Sequence, residues 1–129
     1  MQVHLMTLLA VAAGGAIGAG FRHLLGVAML RWLGSGFPWG TYAANILGAL
    51  MMGSFIALML RFELRDPHLR AFLTTGLLGG FTTFSTFSLE VVLLFERNEH
   101  LLALFYALSS VLLCVAGVFL MLWLLRPSV

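Results

Sequence analysis

Long apolar runs constrain this chain more than any other feature. A helix needs about 20 mainly apolar residues to cross the hydrocarbon core of a bilayer. Four segments are that long: about Val3 to Leu30, Pro38 to Arg61, Leu69 to Phe95 and Leu101 to Leu125. The connections between them are short, roughly Arg31 to Phe37, Phe62 to His68 and Glu96 to His100, so no stretch is left over for a soluble domain. The expected fold class is an all-α membrane protein. It is a single domain over residues 1–129, with transmembrane helices at about 3–30, 38–61, 69–95 and 101–125 and the third interrupted at Gly79-Gly80. No internal repeat or low-complexity tail is visible.

The composition agrees with that class. The chain is 61% apolar and 9% charged, whereas soluble domains carry about 25% charged residues. The net charge of +2, from seven arginines and five acids, is far too small for a nucleic-acid footprint. Val3 to Leu9 resembles the apolar part of a signal peptide and Ala10-Val11-Ala12 a cleavage site. The flank before it has no Lys or Arg, however, and the apolar run continues to Phe21. A retained first helix is expected. Cys114 reads as a small apolar residue within the last segment. His4, His23, His68 and His100 lie near segment ends without the spacing of metal ligands. Trp32, Trp39 and Trp123 sit where interfacial anchors belong.

Arginines set orientation in such a chain. The side holding the N-terminus has Arg61, Arg65, Arg70 and Arg126; the other has Arg22, Arg31 and Arg97. So small a bias fits either a weak single orientation or dual topology, with copies inserted both ways. Small residues recur at i, i+4: Gly14 and Gly18, Gly15 and Ala19, Ala44 and Gly48, Ala49 and Gly53, Ser110 and Cys114. In lipid, helices associate by close packing, and such pairs let backbones approach.

The polar residues within the spans can be weighed one by one. Arg22 and Glu90 each lie toward the same membrane face. Either they snorkel, or they pair, or Arg22 attracts anions into a vestibule. Asn45, one turn after Thr41, is either glue between helices or an amide donor to an anion. The stretch Gly79-Gly80-Phe81-Thr82-Thr83-Phe84-Ser85-Thr86-Phe87-Ser88 is the most informative. Two glycines weaken a helix at mid-membrane, and freed carbonyls of a broken helix can hold a cation; a plain kink is the alternative. Phe84 and Phe87 share a helix face, as do Thr83, Thr86 and Glu90. A phenyl ring has a positive edge. An anion can rest against ring edges while hydroxyl protons of Thr82, Thr83, Ser85 and Thr86 donate to it; plain packing is the alternative. Tyr106, Ser109 and Ser110 could add donors from the fourth segment.

Three stretches, Gly14-Gly15-Ala16-Ile17-Gly18-Ala19-Gly20-Phe21-Arg22, Gly40-Thr41-Tyr42-Ala43-Ala44-Asn45-Ile46-Leu47-Gly48 and Gly79-Gly80-Phe81-Thr82-Thr83-Phe84-Ser85-Thr86-Phe87, resemble the Fluc (CrcB) fluoride channels of microbes. The likeness spans essentially the whole chain. It implies an antiparallel, dual-topology homodimer in the cell inner membrane, with two pores through which cytoplasmic fluoride leaves passively. It also implies that Phe84 and Phe87 touch fluoride with their ring edges, that Asn45 is an amide donor, and that Thr41, Ser85, Thr86, Tyr106 and Ser110 line the pore. Backbone carbonyls of Gly79 and Thr82 from both subunits would hold a structural sodium ion. His23 and Ala44 depart from the family pattern, away from the proposed ion path. A small multidrug-type exchanger, also a four-helix protein, would need a carboxylate deep in the first segment, where only Arg22 is found. No nucleophile–base pair suggests an enzyme.

Overall fold

The computed structural model describes residues 2–127. Four helical spans, His4–Leu33, Trp39–Arg61, Pro67–Glu96 and His100–Leu125, are long and apolar enough to cross a membrane. Helix α1 covers Gln2–Leu33 and α2 covers Trp39–Arg61. Gly34, at φ +78°, turns the chain out of α1, a conformation that glycine adopts without steric cost. Pro38 then precedes α2, whose far end is closed by Glu63 at φ +52° and by the Leu64 N–H on the Met59 carbonyl.

The third span is composite. Asp66 caps α3 (Pro67–Ala71): its side chain accepts from the His68 and Leu69 amides, and Pro67 lies in the first turn, where its missing N–H costs nothing. The backbone then widens into a π-helical stretch, Phe72–Leu78, and makes a last helical turn, Gly79–Phe81. Thr82 (φ −88°, ψ 159°) and Thr83 (φ −152°, ψ 123°) are extended, and α4 runs over Phe84–Glu96. The interruption therefore falls at Thr82-Thr83, not at Gly79-Gly80 as expected. Gly79 is itself helical (φ −62°, ψ −36°). Asn98, at φ +61°, ends this span, and α5 covers His100–Leu125.

The glycines serve approach rather than flexibility. A Cβ on Gly14 would lie 2.5 Å from the Phe72 carbonyl, and one on Gly80 would lie 2.5 Å from the Gly15 carbonyl, so α1 and the third span touch backbone to backbone. Gly53 meets Val118 and Met121 of α5 in the same manner, and Gly117 receives Leu50. The small-residue pairs on α1 and α2 thus lie at helix contacts. The buried core is aromatic at one end. Phe87, Leu94, Ala103 and Tyr106 form one cluster, with Phe37 and Tyr42 packed against it.

Candidate functional site

The site is built around the two extended residues, because the polar groups of Thr83, Thr86 and Gly80 beside them have been redirected. In a continuous helix the Thr83 N–H would bond the Gly79 carbonyl. It instead donates to Asn45 Oδ1 at 2.8 Å, while Asn45 Nδ2 donates to the Thr83 carbonyl at 3.0 Å. One carboxamide on α2 thereby satisfies both backbone groups of Thr83, as an unwound segment in lipid requires. The Thr86 N–H would serve the Thr82 carbonyl in a helix, but it donates to Thr83 Oγ1 at 3.2 Å, an N-cap that starts α4. The carbonyls of Gly79 and Thr82 have thus both lost their usual helical donors. Gly80 is treated differently: its carbonyl accepts from Arg22 Nε at 3.1 Å.

Past the break, hydroxyls and rings interleave on the first turn of α4. Thr83 Oγ1 donates to Thr86 Oγ1 at 3.2 Å and lies 3.3 Å from Ser85 Oγ. Phe84 and Phe87 stack with centroids 5.5 Å apart, and Phe87 continues onto Tyr106 at 5.1 Å. Tyr106 in turn meets Phe37 edge-on at 5.2 Å. The two phenylalanines differ sharply in setting: Phe87 is 8% exposed and Phe84 75% exposed.

Glu90 receives two hydroxyl protons, from Thr41 Oγ1 at 2.8 Å and from Tyr106 OH at 2.7 Å. It is a junction between α2, α4 and α5. Arg22 and Glu90 both line a cavity of about 610 Å³, shared with His23, Thr41 and Arg97. Their hydrogen bonds go elsewhere, Arg22 to the break and Glu90 to the two hydroxyls. Ser110, one turn beyond Tyr106 on α5, is buried, and among the described residues its hydroxyl has no hydrogen-bond partner.

A family model for CrcB-like proteins (Camphor Resistance) matches residues 9–122, which takes in most of α1, all of α2, the break and most of α5. The chain belongs to the CrcB family. It is 48% identical over 122 residues to the fluoride-specific ion channel FluC of Mesorhizobium japonicum, covering 95% of this chain and 98% of that protein. It is 50% identical over 109 residues to FluC of Agrobacterium fabrum (84% and 87%). It is 52% identical over 116 residues to FluC of Phenylobacterium zucineum (89% and 91%). CrcB proteins are ion channels rather than enzymes.

In this CrcB chain the residues singled out from sequence fall into two groups. Asn45, Phe84, Ser85, Thr86 and Phe87 gather at the break, with the backbone of Gly79 and Thr82. Thr41 and Glu90 line the cavity, Tyr106 bonds Glu90 from behind it, and Arg22 reaches from the cavity to the break. Phe87–Tyr106 stacking joins the two groups. Two participants were not singled out. Tyr42 packs on Tyr106 at 6.0 Å and donates to Ser109 Oγ at 3.2 Å, and Phe37 closes the aromatic row. Tyr42 follows Thr41 directly and lies three residues before Asn45, which was the available signal. Phe37 sits in a connection and gave none.

Proposed function

We propose that two copies of this chain, inserted antiparallel, form a fluoride-selective channel through which cytoplasmic fluoride leaves passively. The observation that carries the proposal is the first turn of α4: Phe84 and Phe87, with ring centroids 5.5 Å apart, beside the hydroxyls of Ser85 and Thr86, directly after a break in the span. Ring edges and hydroxyl protons offer an anion many weak contacts and no permanent cation. Such a site can replace hydration and still release the ion. The name shared by the relatives above points to fluoride as that anion.

The second copy follows from the same turn. Phe84 and Ser85 are exposed on a single chain, next to carbonyls lacking their usual donors. Hydroxyls and free carbonyls at mid-membrane depth cannot face lipid. A two-fold axis in the membrane plane would bring two broken spans together and cover both. The Gly79 and Thr82 carbonyls, hard oxygen donors with their usual partners withdrawn, suit a sodium ion held between the copies. Bound there, such an ion would offset the carbonyl dipoles and tie the two breaks together. Thr41, Tyr106 and Ser110 complete the polar lining, and Asn45 keeps one amide proton for the anion after serving Thr83.

Hydrogen fluoride crosses lipid as a weak acid and ionises in a less acidic cytoplasm. An inside-negative potential of 100 mV is worth about 2.3 kcal/mol per charge, enough to drive the trapped anion outward. The test is efflux from liposomes loaded with fluoride or chloride, read with ion-selective electrodes. Fluoride efflux without chloride efflux is expected. Equal efflux of both, or proton-coupled uptake of an organic cation, would overturn the proposal.

A further inference from the structure

The face that α1 turns to the third span reads Gly14, Gly18, Arg22 at i, i+4, i+8. The two glycines let the backbones touch: a Cβ on Gly14 would meet Phe72 and Leu77, and one on Gly18 would meet Leu77 and Phe81. Arg22 comes one turn later, where the third span is about to unwind, and its Nε–H lands on the Gly80 carbonyl at 3.1 Å. In a continuous helix that carbonyl would accept from the Phe84 amide. We propose that Arg22 is a positioning residue of the break: its Nε–H substitutes for the Phe84 amide on Gly80 and so holds the segment before Phe84 in its unwound form. Asn45 acts from α2 on Thr83, within the break, and Arg22 acts from α1 on Gly80, two residues before it. The two clamps come from different helices and leave the carbonyls of Gly79 and Thr82, each directly preceding a clamped residue, without their helical donors.

This role differs from that of a fixed positive charge at the cavity mouth, and side-chain chemistry separates the two. Glutamine carries its amide nitrogen directly after Cδ, where arginine has Nε. Arg22→Gln therefore keeps a donor at that point and loses the charge. Lysine has a methylene there and its ammonium one bond further on. Arg22→Lys keeps the charge and moves the donor one bond past the point where Nε meets the Gly80 carbonyl.

The consequence for ion flow rests on the proposed channel; the consequence for the break does not. Both variants and the wild type are reconstituted, and initial fluoride efflux is measured as internal fluoride is raised. Positioning predicts that Arg22→Lys lowers the maximal rate by about tenfold or more with half-saturation unchanged, whereas Arg22→Gln stays within about threefold of the wild-type maximum. Hydrogen exchange of the Thr83–Ser85 amides in detergent is followed in parallel. It should change in Arg22→Lys and match the wild type in Arg22→Gln. A near-normal maximal rate in Arg22→Lys, or an Arg22→Gln as impaired as Arg22→Lys, overturns the proposal. So does failure of both variants to accumulate in membranes, since a donor at Nε would then not suffice. Accumulation of Arg22→Gln alone supports it. Should the wild type pass no fluoride, the channel reading fails, and the exchange comparison still decides the role of Arg22.

Discussion

Replacing Asn45 by alanine removes two hydrogen bonds at once, the 2.8 Å bond from the Thr83 N–H and the 3.0 Å bond to the Thr83 carbonyl. Each buried backbone group left unpaired costs roughly 1–3 kcal/mol. Losing both partners therefore costs about 2–6 kcal/mol before relaxation. Hydrogen bonds between membrane helices average only about 0.6 kcal/mol, because the unfolded segment in lipid finds other partners. Thr83 has fewer options, since its extended backbone forbids the helical bonds that would otherwise replace Asn45. We expect Asn45→Ala to lose about 2 kcal/mol or more, near the low end of the unpaired-group range. Equilibrium unfolding in mixed detergent–dodecyl sulfate micelles measures it. Asn45→Asp is the companion: an ionised carboxylate still accepts from the Thr83 N–H but sets two acceptors against each other at the carbonyl. It should destabilise at least as much as alanine. If Asn45→Ala unfolds within about 0.5 kcal/mol of wild type, the range of an uninvolved surface position, then Asn45 does not hold the break. A loss of ion flow without a loss of stability would make it purely a donor to the anion.

The two rings give a contrasting pair. Phe84→Leu, at an exposed position, should leave the unfolding of the single chain nearly unchanged and cut fluoride efflux, whereas Phe87→Leu should cost about 0.5–1.5 kcal/mol through lost ring contacts as well. Full-speed efflux in the double variant would contradict the role given to the rings. Gly80→Ala drives a methyl into the Gly15 backbone and should destabilise by about 1–3 kcal/mol in the same unfolding assay; Gly20→Ala, where a Cβ meets nothing, is the control. Thr83→Val removes the cap of α4 and should cost about 0.5–2 kcal/mol, with Thr83→Ser restoring most of it.

Much of the fold was legible because the bilayer leaves so few choices. Apolar length alone implies four spans, and the Gly14–Gly18 and Ala49–Gly53 spacings pointed to helix contacts that the backbone approaches bear out. The third span was legible only in outline. A glycine pair at mid-membrane suggested a break there, yet Gly79 is helical and Gly80 is used for close approach to Gly15. The chain unwinds at Thr82-Thr83 because partners from outside the span are available: an amide on α2 for Thr83, a guanidinium on α1 for Gly80, and a local hydroxyl for Thr86. Intrinsic helix preference cannot locate a break whose energy lies in tertiary hydrogen bonds. The π-helical widening over Phe72–Leu78 left no trace in the apolar pattern for the same reason.

The same asymmetry bears on how the site is divided between its residues. Phe87 is fixed within one chain, buried against Tyr106, and Tyr106 is fixed by Glu90, which Thr41 also serves. That line from Thr41 to Phe87 needs no second copy. Phe84, Ser85 and Gly79 are exposed on their own chain, although they lie near the middle of the third span. Hydrocarbon would tolerate the ring of Phe84 but not a carbonyl without its helical donor beside it. Asn45 and Arg22 sharpen the contrast, since they satisfy Thr83 and Gly80 while the neighbouring Gly79 and Thr82 carbonyls stay without their helical donors. A protein that spends two interhelical side chains on holding its backbone unwound gains nothing from leaving the exposed half in lipid. In the proposed antiparallel pair each chain would therefore supply half of a site: the buried aromatic row complete, and a face at Gly79 and Phe84 for its symmetry mate to cover.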